Sequence, residues 1–255
     1  MIGCIIQARM SSTRLPGKIF KKLNDDHVLS YVINQLRFCK TFNKIIVATT
    51  TMSSDDVVED FCKTHNIHCF RGDKENVLDR YYKCAQKFKL DTIVRITADC
   101  PLIDHEIVDH IVSGLNSFDY VSNNLENTFP KGYDVEVFTF DALKKTWEES
   151  TLPSEKEHVT QYMKNNSFFD KKNFKNQENL SYLRCTLDHL VDLEFLREVV
   201  KRIHTRPIVM KDVISVIKKE PHLMNINKNI DPNEGLMKSY QEDEQFKRNL
   251  QNEKN

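Results

Sequence analysis

The chain has 255 residues with 37 basic and 37 acidic side chains, so its formal net charge is zero. That balance argues against a protein that coats nucleic acid, and no apolar run approaches the ~20 residues needed to cross a bilayer. Seven cysteines, widely scattered and without a CxxC pair, exclude a disulfide framework or a zinc ribbon and point to a reduced, cytoplasmic protein. The length suits one large domain able to bury a real core.

The first apolar run, Ile2 to Ile6, is short and lacks a basic flank, so it reads as a core strand rather than a signal peptide. It feeds into Gln7-Ala-Arg-Met-Ser-Ser-Thr-Arg-Leu-Pro-Gly-Lys18, a polar, turn-prone loop. Residues 1–23 carry five cations (Arg9, Arg14, Lys18, Lys21, Lys22) and no acid. A buried strand ending in such a loop sets backbone N–H groups, hydroxyls and fixed positive charge at one mouth of a sheet, as a polyphosphate requires. A solvated basic loop is the competing reading.

Residues 27–38 then place Val28, Leu29, Val32, Ile33 and Leu36 on one helical face. Ile45–Thr49 is β-rich, Val57, Val58, Phe61 and Cys62 repeat the helical spacing, and Ile67–Phe70 is a short strand. A helix over 75–88, a strand at Thr92–Thr97 and a helix carrying Ile107, Val108, Ile111, Val112 and Leu115 follow. Strands and helices alternating in this way predict an α/β fold with a mostly parallel sheet covered on both faces. Ligands of such sheets sit beyond the carboxyl ends of the strands. The loop 7–18, Thr49–Asp56, Arg71–Asp79 and Asp99–Asp104 therefore share one edge.

The second half is less regular. Asp134–Phe138 alternates as a half-buried strand does and is available for a subunit contact, and Leu183–Leu187 is a further expected strand. Helical patterns cover 139–149, 155–165, 190–204 and 210–219. Residues 242–255 are charged and poor in apolar side chains, so a flexible polar tail is expected after a single domain over 1–241.

Arg14-Leu-Pro-Gly-Lys18 is the most specific local signal. Pro16 stiffens the turn, Gly17 admits a close backbone approach, Arg14 offers a planar fork and Lys18 a mobile point charge. Asp99 and Asp188 each close an apolar strand pattern, where two carboxylates together suit one Mg2+ ion sharing phosphate oxygens and water. Capping of the following helix is the alternative for each. The group Asp104, His105, Glu106, Asp109 and His110 spreads around a helix start and reads as a cap with exposed histidines. Cys100 reads as a small buried hydrophobe.

With these residues in view the chain resembles the cytidylyltransferases that make CMP-activated sugars, particularly the spore-coat polysaccharide type. The 3-deoxy-manno-octulosonate and acylneuraminate enzymes are more distant. The likeness is carried by residues 6–18, Val47-Ala-Thr-Thr50, Phe70-Arg-Gly72, Asn76-Val-Leu-Asp-Arg-Tyr-Tyr82, Val94-Arg-Ile-Thr-Ala-Asp-Cys-Pro-Leu-Ile-Asp104, Gly132-Tyr-Asp-Val-Glu-Val-Phe138, Glu157-His-Val-Thr160 and Asn233-Glu-Gly235.

The resemblance implies a Rossmann-like nucleotide-diphospho-sugar transferase fold, with CTP over residues 1–118 and a sugar over 119–241. It matches Arg9, Arg14 and Lys18 to triphosphate binding, and Arg71 with 75–80 to the base. Gln7, Ala8, Ser12, Thr49, Gly72, Asn76, Asp79, Arg80 and Thr97 complete the expected nucleotide contacts. Arg14, Lys18 and Asp99 are the expected catalytic groups, Asp99 and Asp188 the Mg2+ ligands, and Asp134, Glu136 and His158 the sugar pocket. Relatives have Pro-Glu-Asp shortly after the second aspartate. Here Asp188 is followed by His189-Leu-Val-Asp192, which leaves Asp192 as a substitute ligand. An acidic sugar would want a cation such as Lys131, Arg184 or His158. A homodimer is expected, without nucleic-acid or membrane partners. A guanylyl- or uridylyltransferase, a glycosyltransferase and a non-catalytic nucleotide-sugar-binding protein are the competing readings.

Overall fold

A computed structural model describes residues 1–231 and 234–252. The first half runs β1 (Ile2–Gln7), a small hairpin of β2 (Lys22–Leu23) and β3 (Asp26–His27), α1 (Val28–Leu36), β4 (Lys44–Thr50), α2 (Asp56–Thr64), β5 (His68–Gly72), α3 (Val77–Phe88) and β6 (Thr92–Thr97). The second runs α4 (His105–Ser113), β7 (Tyr120–Ser122), β8 (Glu136–Thr139), α5 (Phe140–Glu149), α6 (Pro153–His158), α7 (Gln161–Asn165), β9 (Lys171–Asn173), α8 (Leu190–Lys201), α9 (Met210–Lys219) and α10 (Glu234–Asn252). Seven strands form one sheet in the order β5-β4-β1-β6-β8-β7-β9. Among these, β8 runs antiparallel to β6 and β7, and every other pairing is parallel.

Period-two alternation along β1 explains the two faces. Cys4 and Ile6 pack against Leu29, Val32 and Leu36 of α1, Val58 and Phe61 of α2, and Val108 and Ile111 of α4. Ile5 points the other way, into a cluster with Val77, Leu78 and Tyr81 of α3 and Leu143 of α5. A third core joins Leu15 of the first loop to Tyr133, Leu187 and the inner faces of α8 and α9. From β1 the chain winds outward through β4 and β5, then returns to β6 on the other side of β1. The loops after β1 and β6 thus meet where the strand order reverses, the place where an open α/β sheet leaves a crevice.

Four local expectations change. Residues 183–187 do not join the sheet; they make one bridge between Lys131 and Arg184, with Cys185 N donating to Lys131 O at 2.7 Å. Their apolar side chains fill the third core instead, which is why the run looks like a strand. The helix expected over 155–165 breaks into α6 and α7 at Val159, whose φ of 63° forms a γ-turn closed by Thr160 N donating to His158 O at 2.6 Å. The alternating strand at 134–138 is paired on both sides as β8, so it has no edge for a subunit contact. Finally, residues 242–252 continue α10 rather than trailing as a tail, and Asp243 is buried against Ser154. Residues 253–255 lie outside the described residues, as does Asn233 of the Asn-Glu-Gly motif.

Candidate active site

The loop after β1 folds on itself before it meets anything else. Ser12 N and Gly17 N both donate to Met10 O, at 2.9 and 3.0 Å, and Leu15 N donates to the Ser12 hydroxyl at 3.3 Å. Gly17 sits at φ 66°, a left-handed conformation that glycine adopts without steric cost. Two anchors fix the loop to the body. Leu15 is buried in the third core, and Met10 N donates to Asp55 Oδ1 at 2.8 Å. Asp55 is fully buried and also takes the backbone N–H and hydroxyl of Thr50 at the end of β4. Its sequence signal was faint: an acid before a helix looks like a cap, and only the fold turns it toward the loop after β1.

Lys18 projects from this loop to a point between two carboxylates. Its Nζ lies 2.6 Å from Asp99 Oδ2 and 2.9 Å from Asp188 Oδ1. Asp188 Oδ1 also accepts from Arg14 at 2.6 Å, and Oδ2 accepts from Arg184 at 2.9 Å. Asp99 lies in the turn just beyond β6, whereas Asp188 arrives because Leu187 N and the Thr186 hydroxyl donate to Asp99 O at 2.8 and 3.2 Å. Burial disfavours all three charges, but mutual attraction outweighs it. The carboxylates raise Lys18 above its ordinary value, and Lys18, joined at Asp188 by Arg14, draws Asp99 and Asp188 below theirs.

Two carboxylate oxygens converging on one cation form an oxygen-only donor pair, which fits Mg2+ with phosphate and water completing its shell. Among the described residues no group of three or more His, Cys, Asp or Glu is placed to hold a metal. The Cys100 thiol beside Asp99 is pushed well up by burial, so it is a buried thiol rather than a thiolate ligand. Asp192, the possible substitute ligand, is engaged elsewhere. It is fully buried, takes Arg184 Nε at 2.8 Å and Asn227 at 3.0 Å, and accepts the backbone N–H groups of Asp188 and His189 at 2.9 Å each. Its oxygens hold the Arg184–Asp188 turn in shape.

Two cavities flank this cluster. One, of about 280 Å³, is lined by Gln7, Arg9, Ser12, Arg14, Lys18, Thr97 and Asp99, joined by Lys238 and Ser239 of α10. The other, of about 480 Å³, is lined by Arg14, Arg95, Lys131, Asp134, Glu136, Thr160, Lys164, Arg184 and Asp188. Arg14, Arg95, His158 and Gly235 belong to both walls. Of the three side chains expected in a sugar pocket, Asp134 and His158 reach the larger cavity, Asp134 accepting from Gly132 N at 3.0 Å and His158 meeting the Ser239 hydroxyl at 2.8 Å. Burial lowers His158 below its ordinary value. Glu136 is 2 % exposed and saturated by Arg95, Lys164 (2.8 Å), Tyr120 (2.6 Å) and Thr160 (2.6 Å). It orients Arg95 and Lys164 rather than offering itself to a ligand, and those two cations were missed because only the fold pairs them. The strained Val159 turn lies between His158 and Thr160 and is held by these same bonds, a placement common at functional sites.

The side chains expected to read a base do not line either cavity. Arg71 is engaged by Asp56 and Glu59 and by the carbonyls of Thr50 and Met52. Asn76 caps α3 by accepting from Asp79 N at 2.9 Å, and Asp79 takes Trp147 Nε1 at 3.0 Å and Lys83 at 2.8 Å. Gly72 packs against Arg80, Thr49 is fully buried, and Ala8 N donates to Ala48 O at 3.1 Å to finish the sheet. Arg80 differs from these. It is fully buried, its Nη1 donates to Asp73 O at 3.2 Å, and its Nε and Nη2 donors have no partner.

This geometry has counterparts. The chain is similar to a cytidylyltransferase of Leptospira borgpetersenii, with 34% identity and a TM-score of 0.86 over 90% of this chain and 98% of that one. It is 29% identical to the spore coat polysaccharide biosynthesis protein SpsF of Bacillus subtilis, over 85% of this chain and 94% of the relative. The fold alone is shared with a CMP:2-keto-3-deoxy-manno-octonic acid synthetase complexed with CTP, at 15% identity and a TM-score of 0.60 over 78% of this chain and 98% of that one. A family model described as cytidylyltransferase matches residues 3–242, nearly the whole chain, and on that match together with the Leptospira likeness the protein belongs to the cytidylyltransferase family, CTP-dependent nucleotidyltransferases.

Proposed function

We propose that the protein transfers CMP from CTP to an anionic sugar, a keto-sugar acid or a sugar phosphate, with Mg2+ and release of pyrophosphate, in the cytoplasmic synthesis of a surface polysaccharide. The observation that carries this reading is the common wall of the two cavities. A triphosphate lying on the 8–18 loop would put its α-phosphorus beside Arg14 and Arg95, within reach of a sugar in the larger cavity.

An acceptor oxygen, either a sugar-phosphate oxygen or a hydroxyl that releases its proton to water, attacks the α-phosphorus in line. The new O–P bond forms as the bond from the α-phosphorus to the bridging oxygen of the leaving pyrophosphate breaks. Arg14 and Lys18 neutralise the departing pyrophosphate, and the rigid loop holds them where that charge appears. Asp99 and Asp188 would hold Mg2+, which supplies Lewis-acid stabilisation of phosphate oxygens when bound. The acceptor wall mixes cations with acids: Arg95 and Lys164 are fixed by Glu136, Arg184 and Lys131 line the same cavity, and an anionic sugar would be met by these four cations. Burial and the Arg184 charge lower the Lys131 pKa, so an anion there favours its protonated form.

Pyrophosphate release from the four nucleoside triphosphates, each with Mg2+ and a panel of sugar acids and sugar 1-phosphates, tests the reading. Turnover with CTP and an anionic sugar is expected. Lys18→Met and Asp99→Ala should each lower kcat about 100-fold, the size expected for a group that acts chiefly in the transition state. Near wild-type turnover in both variants, or a preference for neutral acceptors, refutes it.

A further inference from the structure

Resting on that donor reading, we propose that α10 is part of the nucleotide site and that Lys238 is a further contact to the distal phosphates of the triphosphate. The helix is poor in apolar residues, so packing alone does not fix it; polar tethers to α6 and α7 do. Asp243 accepts from Ser154 N at 2.9 Å and from the Ser154 hydroxyl, Ser239 meets His158 at 2.8 Å, and Gln161 donates to the Tyr240 hydroxyl at 2.8 Å. These positions recur at helical spacing on one face. The same spacing puts Gly235 against the phosphate loop, where a Cβ would stand 3.2 Å from Arg14 Nη1. Lys238, three residues on, comes out beside Ser239 into the smaller cavity.

The charge inventory of that cavity singles out Lys238. Lys18 is bonded to Asp99 and Asp188, Arg14 to Asp188, and Arg95 to the fully buried Glu136. Arg9 faces Glu157 at 3.5 Å inside the cavity itself. Among the described residues the Lys238 ammonium pairs only with Glu242, one turn along its own helix at 3.8 Å, with both side chains exposed. A pair so placed is worth little. Lys238 is therefore the cavity's most readily redirected cation, on a long flexible stem suited to a phosphate.

Calorimetric titration of the full chain with CTP, pyrophosphate and CMP, each with Mg2+, tests the assignment. Lys238→Ala should weaken CTP and pyrophosphate about tenfold, within the range of a charge-assisted bond discounted for exposure, and leave CMP unchanged. Lys238→Arg should restore most of the loss. Asp243→Asn should weaken CTP in the same direction, and the double variant should be no weaker than the worse single one, because both act through the same contact. Alanine at this exposed helical position leaves folding intact. CTP and pyrophosphate affinities within twofold of wild type in Lys238→Ala, or an equal loss for CMP, overturn the proposal while leaving the donor reading standing. A wild-type chain that takes up no CTP sinks both.

Discussion

Asp188 and Asp192 lie one turn apart and both touch Arg184, yet their surroundings give them different work, and isosteric amides separate the two. Asp192 is fully buried and receives five N–H donors: two from Arg184 (2.8 and 3.1 Å), one from Asn227 (3.0 Å) and the backbone groups of Asp188 and His189 (2.9 Å each). Asp192→Asn keeps the shape but replaces one acceptor oxygen with an NH2 that faces donors, and it leaves Arg184 with Asp188 alone. Breaking a buried pair costs about 3 kcal/mol. For a chain of this size that is about 2–4 °C per kcal/mol, so Tm should fall by roughly 6–12 °C. Asp188→Asn removes one of two carboxylates facing Lys18 and should raise the Mg2+ concentration for half-maximal turnover at least ~10-fold, since loss of even an outer partner costs a metal site that much. Differential scanning calorimetry and a Mg2+ titration of pyrophosphate release read both. An Asp192→Asn protein with wild-type Tm and a larger Mg2+ requirement than Asp188→Asn would show that the assignment is reversed.

Three further outcomes follow from the same geometry. Asp55→Ala frees Met10 N and the end of β4, and should raise the KM for CTP about tenfold, the worth of about 1.4 kcal/mol in lost charged hydrogen bonding; an unchanged KM would show that the loop is rigid without it. Gly132→Ala combines a φ of 105° with a Cβ only 2.7 Å from the Cys185 carbonyl carbon, so it should cost about 3 kcal/mol in urea unfolding. An unchanged midpoint would mean that the 131–185 contact is soft. Because burial holds His158 below 6.5, the unfolded chain binds its proton first as pH falls, and wild-type stability should decline below about pH 6.5. His158→Gln should flatten that decline, and a slope identical to wild type would contradict the burial argument.

The sequence was most legible where function and local rules coincide. Alternating strand and helix periods gave the parallel half and its two covered faces, and Arg14-Leu-Pro-Gly-Lys18 marked the tight turn after β1 because its turn chemistry is written into consecutive residues. The position of Asp99 was legible for the same reason, as a carboxylate just past an apolar strand run. The pairing of Asp99 with Asp188 was also anticipated, but its cause was not: Asp188 is delivered by a loop bonded to Asp99 O, not by a strand. Roles set by distant partners could not be read. Glu136 looked like a pocket acid until Arg95, Lys164, Tyr120 and Thr160 closed around it, and nothing in the linear sequence showed that Asp192, a possible substitute for Asp188, would have its oxygens claimed by five N–H groups. The charged residues after 241 looked like a tail because apolar periodicity is the usual sign of docking, and α10 docks through hydrogen bonds instead. Periodicity and turn residues are local and survive in a linear string. The saturation of a buried carboxylate depends on which donors the chain brings to it, Arg95 from 41 residues away in the case of Glu136, and tertiary packing alone decides that.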